Sequence, residues 1–582
     1  MQTQQRDEAT PPRSAPPQQR ASDHDSLPAA PEPQPTDRPD LRHWLHSGLT
    51  VAAIMGLAVG TRALWNSYAV TRPGFAVTIS VCYLVMLVAA VLALCVRSAT
   101  ALVRIDVIVL GTAVLLKSIA VWPSVTGERE IVVDEGMLMD AATRALAAGH
   151  NPYLMSWPQI DPSLPTRLMD GGAAFDFAYP PFGIELGAVL QRVFPSCVGI
   201  TAVATLALLA SAIFIFCVAP APLRPLATLS VLGLGTLTSY TQNAYPSLIA
   251  LPFLCVAVWK WTSIGRDGQL GRGGVLRAGA LGLALATHQL GWFLAVFLVV
   301  GLALLRWGEL SGRAAVGVLL RYAAIAAAAF FATSLPFLIT APGAWLTGIT
   351  EPLTQHAVPH GQGIMGISYY LIGGGGALDF YGHASLLLLL ALLIAYAVHL
   401  PWLGRAAVVL PWLLFAVSTR SQDGYFLLTM PLWIVGLCTT TADDFRGAYR
   451  FPALRKVRGR TIGVLATVAL FIPAAACVIV AVAVPQPLAM RVAADVAPGQ
   501  TVRSLTVEVT NRSSHAITPN FALTAGVDIT QFWSVTVGPG TIPAHGTALY
   551  TLIPPANSWT ITETTFLRAV SDRPQTLSSL RL

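Results

Sequence analysis

Charged side chains are scarce in this chain of 582 residues, because Asp, Glu, Lys and Arg together make up only 11% of it. An ordinary soluble domain carries about 25% charged residues, so a shortage of this size excludes that class. Hydrophobic residues make up 54% of the sequence, and the mean hydropathy is +0.61. Runs of about 20 apolar residues, enough to cross a bilayer, recur along the chain. The composition therefore predicts a polytopic α-helical membrane protein.

Cysteine is also sparse, and its spacing argues against redox and zinc sites. No C-x-x-C pair is present, and none of the cysteines falls in the polar C-terminal region. We expect them to pack as small apolar residues. The seven positions are Cys82, Cys95, Cys197, Cys217, Cys255, Cys438 and Cys477.

Nucleotide-binding motifs are missing as well. The glycine run Gly373–Gly376 lacks the Lys-Ser/Thr of a phosphate-binding loop, and no G-x-G-x-x-G follows a predicted strand. A Rossmann site for a nucleotide sugar is therefore not expected. The net charge of +7 does not indicate nucleic acid, because the basic residues cluster in short loops between apolar runs. That distribution is typical of membrane proteins.

Apolar runs predict about thirteen membrane-spanning segments within a transmembrane domain over 47–485. Residues 1–46 are rich in Pro, Gln, Ser, Asp and Arg and lack the apolar core of a signal peptide, so we expect a disordered cytoplasmic tail. The predicted segments are 47–65, 74–96, 105–123, 198–219, 224–239, 244–262, 277–288, 290–306, 322–340, 384–400, 404–418, 423–438 and 461–485.

Basic residues in alternate loops predict the orientation. The positive-inside rule makes these loops cytoplasmic, with the N-terminus inside and the C-terminus outside the cell membrane. A loop over 124–182 and a region over 486–582 then lie outside, and the short stretch Pro181–Pro195 lies at the outer face. The basic clusters are Arg97 and Arg104; Arg266, Arg272 and Arg277; Arg306, Arg313 and Arg321; and Arg446–Arg460.

The region over 486–582 differs in character from the rest of the chain. Short runs rich in Val, Thr and aromatic residues alternate with turn signals such as Gly538-Pro539-Gly540. This spacing predicts a small antiparallel β-sandwich, on the outer side of the membrane.

Two neighbouring carboxylates, Asp134 and Glu135, begin the outer loop directly after the third apolar segment. A carboxylate at the mouth of a membrane cavity can act as a general base or hold a metal ion. The alternative is a solvated pair at a helix N-terminus, where negative charge is favoured. The residue types leave both interpretations open. Asp140 and Arg144, four residues apart, predict an ordinary pair on a helix surface.

Other polar residues lie within or beside the apolar segments. Lys117 is inside one of them, where a charge is costly and usually functional unless its end snorkels to the interface. Arg420 is a candidate partner for a phosphate group. His356 and His360 have a spacing that binds zinc on a helix, but Pro359 favours a loop.

Four short motifs follow one another in a suggestive order. Asn151-Pro152-Tyr153 and Tyr179-Pro180-Pro181-Phe182 come after the carboxylates, Thr241-Gln242-Asn243 precedes an apolar run, and His288-Gln289 begins another. Over roughly residues 105–440 the chain resembles the polytopic C-type (GT-C) glycosyltransferases. The likeness is greatest to glycosyltransferase family 87 and to actinobacterial membrane mannosyl- and arabinosyltransferases. His288 departs from the lysine usual in these relatives, which leaves open whether a permanent positive charge is needed.

The resemblance implies a GT-C-like catalytic domain that moves a sugar, mannose or arabinofuranose, from a polyprenyl-phosphate carrier. The acceptor would be a cell-envelope glycolipid or polysaccharide outside the membrane. No cofactor is required, although the sequence leaves a divalent metal open. Asp134 is implied as the general base, with Glu135 beside it, and direct displacement would invert the anomeric centre. The substrate-binding candidates are Tyr153, Tyr179, Gln242, Asn243, His288, Gln289, His360, Arg420 and Lys117.

The β region would then bind acceptor glycan or position the enzyme. Its aromatic residues Trp533, Tyr550 and Trp559 are candidates for stacking on sugar rings, and at least one of them is expected in the core instead. Two other functions fit the sequence. A transporter or lipid flippase would use broken helices near Pro246 and Gly291. A non-catalytic envelope-assembly protein would dock a partner through the β region.

Overall fold

A computed structural model describes residues 41–160, 165–451, 460–493, 496–525, 529 and 531–582. The described chain is mostly helical, and all but two of its strands lie after Leu488. Most of the predicted tail lies outside the described residues, whereas residues 41–46 belong to the first helix, Leu41–Thr61. His46 of that helix is buried and forms a 2.6 Å hydrogen bond with Asp106.

Eight helices of the described chain are long and apolar enough to cross a bilayer, which identifies a membrane protein. Two bent pairs raise the number to ten if each pair is one span. The pairs are Gly235–Gln242 with Pro246–Val258, bent by 117°, and Leu400–Val408 with Leu410–Val417, bent by 70°. The eight are Leu41–Thr61, Pro73–Cys95, Ala99–Val125, Gly199–Val218, Leu290–Glu309, Gly312–Thr340, Asp379–Val398 and Leu465–Ala483.

The remaining apolar runs form shorter pieces, so the described residues do not provide thirteen long spans. The run predicted over 224–239 is divided into Pro225–Ala227, the π-helical turn Thr228–Gly233 and the start of a third helix. Glycine costs helical stability and proline removes a donor, which explains the breaks. The other short helices include Leu64–Tyr68, Asp134–Ala147, Phe182–Val193, Gly271–Leu285, Pro342–Thr354, Asp423–Leu427 and Met430–Thr439.

The core of the helical part surrounds Pro246–Val258. This helix buries side chains on every face, among them Leu248, Ile249 and Leu251, as expected for an element that is apolar all round. Phe182–Val193, the stretch predicted to lie at the outer face, has 12 residues and is too short to span.

Three of the basic loops meet at one end of the helical part. Arg266 pairs with Asp444 at 3.1 Å, and Arg321 donates to the carbonyl of Gly268 at 2.7 Å. The loops lie beyond Glu309, the last residue of helix Leu290–Glu309. A helix of this length is about 30 Å long, so these loops and the residues around Leu290 are separated by roughly a bilayer thickness.

The C-terminal region consists of small antiparallel sheets. In spatial order, one sheet has Thr576–Arg581, Thr565–Ser571 and Asn520–Ala525, and the other has Leu488–Val492, Leu505–Asn511, Thr547–Ile553 and Ser534–Val537. A two-stranded pair joins Thr501–Val502 to Trp559–Thr560. One apolar core joins the two larger sheets and contains Val507, Phe521, Leu552 and Leu567.

Two of the three aromatic residues considered for sugar stacking lie in the core of this region, which confirms the expectation that at least one would do so. Trp533 and Tyr550 are only 4% and 1% exposed. Trp559 is partly buried and lies 6.3 Å from Trp533, measured between ring centroids. The prediction that these rings stack on sugars is therefore wrong for Trp533 and Tyr550, because their apolar area stabilises the junction between the sheets.

The sheet region packs directly on the helical part. A buried cluster joins Met169 and Tyr381 to Val570 and Leu577. The backbone N–H of Leu577 donates to the carbonyl of Gly375 at 2.8 Å. The two parts therefore share an apolar interface.

Candidate active site

A cavity of about 400 Å³ brings together several of the residues predicted from the sequence. We call it the carboxylate cavity. Its polar lining includes Asp134, Glu135, Thr166, Asp176, Tyr179, His288, Gln289, Gln355, Ser385, Ser418, Thr419, Arg420 and Tyr425. Its apolar lining includes Leu138, Leu290, Phe293, Leu353, Leu386, Leu389, Leu414 and Phe415.

The apolar side of the carboxylate cavity reaches the outside of the helical part. Leu386 lies on the spanning helix Asp379–Val398 and is 58% exposed, and Leu353 is 50% exposed. The cavity therefore has one polar wall and one wall continuous with exposed apolar side chains, of which Leu386 lies on a helix long enough to span a bilayer.

Asp134 and Glu135 are the first two residues of helix Asp134–Ala147. Val133 before them is extended, and both carboxylates lie in the first turn, where the helix dipole favours negative charge. Asp140 and Arg144 of the same helix form the predicted surface pair, at 2.8 Å. The two carboxylates therefore lie at a helix N-terminus and also line the cavity, as each of the two interpretations requires.

The Asp134 carboxylate is held by three hydrogen bonds. Its Oδ1 accepts from the backbone N–H of Glu135 at 2.8 Å. Its Oδ2 accepts from the backbone N–H and the hydroxyl of Thr166, at 3.0 and 2.7 Å. Hydrogen bonds to both oxygens fix the rotation of the side chain.

Glu135 has a different environment from its neighbour. Burial is the main cause that raises the pKa of Glu135, to about 8, and the charge of Asp134 adds to the shift while Arg420 opposes it. At neutral pH this carboxyl group is mostly protonated. In this protonated form, Glu135 can donate a hydrogen bond.

A second cavity wall is formed by Tyr179 and the turn before helix Leu290–Glu309. The rings of Tyr179 and His288 stack with centroids 5.6 Å apart. The Nδ1 atom of His288 accepts from the backbone N–H of Leu290 at 3.0 Å, so the proton of the neutral imidazole is on Nε2. Nε2 is therefore the nitrogen that can donate to a ligand.

Gln289 lines the cavity, but its side-chain amide nitrogen hydrogen-bonds to the backbone. Its Nε2 donates to the carbonyls of Ala178 and Ile349, at 2.8 and 3.0 Å. Its Oε1 is buried and has no hydrogen-bond partner within the described chain. An acceptor without a partner is costly, and a ligand hydroxyl could satisfy it.

Arg420 enters the cavity from a two-residue strand, Arg420–Ser421, which pairs in parallel with His360–Gly361. Gly361 has φ +118°, and a Cβ there would lie 2.1 Å from the carbonyl oxygen of Ser421, so only glycine fits. His360 lies on the neighbouring strand and not in the cavity lining. Among the described residues, the guanidinium of Arg420 makes no hydrogen bond or ion pair.

Besides His360, four predicted residues lie away from the carboxylate cavity: Tyr153, Asn243, Lys117 and Gln242. The hydroxyl of Tyr153 donates to the carbonyl of Tyr179 at 2.6 Å, so it positions a cavity residue. Asn243 accepts from the backbone N–H of Val132 at 3.1 Å and thereby supports the segment before Asp134. Lys117 is 1% exposed, and its Nζ has no hydrogen-bond partner within the described chain.

Gln242 lines a different cavity, of about 480 Å³, together with Arg72, Glu128, Arg129 and Thr238. Its side chain donates to the carbonyl of Ala120 at 2.8 Å and accepts from Arg129 at 2.9 Å. Gln242 therefore ties the loop that contains Arg129 to helix Ala99–Val125.

Sequence reasoning missed Thr166, Asp176 and Tyr425, which the fold brings to the carboxylate cavity from distant segments. Asp176 and Tyr425 lie close to motifs that were recognised, but Thr166 follows no motif. Within the described residues, no group of three His, Cys, Asp or Glu side chains is arranged to hold a metal ion.

Comparisons with known proteins give no family for this chain. No protein-family model matches it, and no curated protein sequence matches it. The class defined by its fold is that of a polytopic helical membrane protein with a small C-terminal sheet region.

Proposed function

We propose that the protein is an inverting glycosyltransferase that uses a polyprenyl-phosphate sugar as donor. The observation that supports this most is the composition of the carboxylate cavity. Asp134, Glu135, His288 and Arg420 line one cavity whose other wall is apolar and continues to the exposed side chains of Leu353 and Leu386. A donor with a charged phosphate and a long hydrocarbon chain needs both walls.

The reaction is a direct displacement. The acceptor hydroxyl attacks the anomeric carbon, and its proton passes to the Asp134 carboxylate. The bond between the anomeric carbon and the phosphate oxygen breaks, and the electron pair leaves with the phosphate. Arg420 and the Nε2–H of His288 stabilise the charge on the departing phosphate. No covalent sugar intermediate forms, so the anomeric configuration inverts.

Protonated Glu135 contributes in another way. Since its pKa is about 8, it adds no second negative charge beside the donor phosphate at neutral pH. Its proton can be donated to a sugar hydroxyl. The acceptor is a hydroxyl-rich glycan or glycolipid of the cell envelope, and mannose and arabinofuranose are the favoured sugars. The active side is the outside of the cytoplasmic membrane, with the N-terminus inside.

A matched pair of variants tests this function. Asp134→Asn keeps the size of the side chain and removes the basic oxygen, so turnover should fall by roughly 10² to 10⁴. Glu135→Gln leaves a neutral side chain of similar size, so it should lower turnover far less than Asp134→Asn. Transfer of radiolabelled sugar from a polyprenyl-phosphate donor is measured with purified, folded protein. A fully active Asp134→Asn enzyme would contradict the proposal.

The bent helix pairs favour a second function, a lipid or sugar flippase. The break of 117° at Gln242–Pro246 resembles the interrupted helices of transporter sites. Reconstituted vesicles separate the two functions. A flippase would move a fluorescent polyprenyl-phosphate lipid between leaflets without any acceptor. It would transfer no sugar, with or without the Asp134→Asn substitution.

A further inference from the structure

The segment that holds Asp134 is a small hairpin, residues 166–174, here called the Thr166 hairpin. Its own backbone bonds include Ala174 N–H to Thr166 carbonyl at 2.9 Å and Leu168 N–H to Gly172 carbonyl at 3.0 Å. At one end, Thr166 donates twice to Asp134. The orientation of the proposed base therefore depends on where this hairpin lies.

A second segment, residues 356–361, links the Thr166 hairpin to Arg420; we call it the bridging segment. On one edge, Met169 N–H donates to the carbonyl of His356 and Val358 N–H donates to the carbonyl of Arg167, both at 2.8 Å. On the other edge, His360–Gly361 pairs with Arg420–Ser421. The bridging segment thus sets the spacing between the carboxylate and the guanidinium.

The C-terminal sheet region contacts both segments. Asn520 Nδ2 donates to the carbonyl of Met169 at 3.1 Å, at the turn of the hairpin. Asp572 Oδ1 and His356 Nδ1 are 2.5 Å apart. Met169 is 1% exposed and packs with Val570 of the sheet region. Both segments are therefore fixed by a region that contributes no residue to the cavity lining.

We propose that the C-terminal sheet region is a positioning element for the transfer reaction. Asn520 holds the Thr166 hairpin and Asp572 holds the bridging segment, so that Asp134 and Arg420 face the donor at a fixed separation. Both are positioning residues, since neither lines the carboxylate cavity. The catalytic consequence rests on the proposed function. A displacement of about 1 Å can cost roughly 10²-fold in rate, so small movements of these segments matter.

Asn520→Asp tests the first contact with almost no change of shape. It removes the Nδ2 donor and places a carboxylate oxygen against the Met169 carbonyl. Asn557→Asp is the matched control in the same region, because Asn557 is exposed and Asp tolerates its φ of +62°. Hydrogen exchange and steady-state transfer are measured on the full-length protein in lipid nanodiscs, with the exchange of strand Thr547–Ile553 reporting that the sheets are folded.

We expect faster exchange of the Leu168, Met169 and Ala174 amides in Asn520→Asp, and a kcat about tenfold lower with donor KM within about threefold. Asp572→Ala releases the bridging segment, which pairs with the strand of Arg420, so it should raise donor KM as well as lower kcat. Asn557→Asp should behave as the unaltered protein.

The inference would be overturned if hydrogen exchange were unchanged in both Asn520→Asp and Asp572→Ala. It would also be overturned if the unaltered protein transfers sugar and these variants keep its kcat. A third outcome is that the unaltered protein transfers no sugar but the hairpin amides still exchange faster in the variants. This result supports the positioning contact and contradicts the proposed reaction. The two proposals therefore fail separately.

Discussion

Asp134 and Glu135 are adjacent in sequence but differ in what holds them. On a helix, neighbouring side chains point about 100° apart, so they cannot address the same atom equally. Asp134 accepts three hydrogen bonds, two of them from Thr166. Burial raises the pKa of Glu135. Within the proposed reaction, these environments favour Asp134 as the proton acceptor.

The raised pKa of Glu135 predicts a pH dependence. Below about pH 8 the group is neutral, and as pH rises through 8 it ionises and adds negative charge beside Asp134 and the donor phosphate. We expect kcat/KM of the unaltered protein to fall above pH 8. Glu135→Gln cannot ionise, so its profile should lack this fall. Identical profiles for the two proteins would contradict the prediction.

Thr166→Val removes the hydroxyl donor to Asp134 with little change of volume, while the backbone donor remains. A hydrogen bond to a charged group contributes about 1.5–3 kcal/mol, so turnover should fall by roughly tenfold or more. Thr166→Ser keeps a hydroxyl and should restore most of the rate. Equal rates for the Val variant and the unaltered protein would show that this bond does not orient the base.

At the scale of elements, helix Asp134–Ala147 packs against the break between Gly235–Gln242 and Pro246–Val258. A Cβ at Gly136 would lie 1.9 Å from the carbonyl oxygen of Asn243, so this contact requires glycine. Asn243 also accepts from the backbone N–H of Val132, two residues before Asp134. The bent helix therefore determines where the Asp134 helix begins.

Gly136→Ala should separate these elements and remove most transfer activity. Overpacking of this kind costs about 1–3 kcal/mol, so thermal stability should fall as well. Gly343→Ala is the control, because that helical glycine has open space around its Cβ position. Transfer assays and thermal unfolding of both variants check the expectation, and a Gly136→Ala protein as active as the control would contradict it.

At the scale of the whole molecule, the sheet region and the carboxylate cavity lie on the same side of the helical part, because Asn520 and Asp572 contact segments that line or support the cavity. The loops with Arg266, Arg306 and Arg321 meet about a helix length away. The orientation predicted from loop charges, in which the basic loops face the cytoplasm, stays a prediction; it would put the carboxylate cavity and the sheet region outside.

Labelling of intact cells with an impermeant thiol reagent tests that orientation. Cysteines introduced at the exposed residues Asp170 and Ser514 should react from outside, and a cysteine introduced at Arg446 should react only after the membrane is opened. The unaltered protein, with its own seven cysteines, gives the background. Labelling at Arg446 in intact cells would reverse the predicted topology.

The sequence by itself determined the membrane class, the strand-rich C-terminal region and several cavity residues. Apolar composition and period-two alternation are local properties, so they can be recognised without a fold. Asp134, Tyr179, His288, Gln289 and Arg420 could be named because each belongs to a short motif or is a charge beside an apolar run. The number of long helices could not be predicted, because glycine and proline divide apolar runs in ways that hydropathy does not measure.

Only the tertiary structure decided which of these residues share a cavity. Tyr153, Asn243 and Gln242 carry similar polar groups but hydrogen-bond to backbone or loop residues elsewhere. Thr166 meets Asp134 across 32 positions of chain, and Asn520 meets Met169 across 351. Contacts over such separations depend on how whole elements pack, and a local pattern contains no information about them.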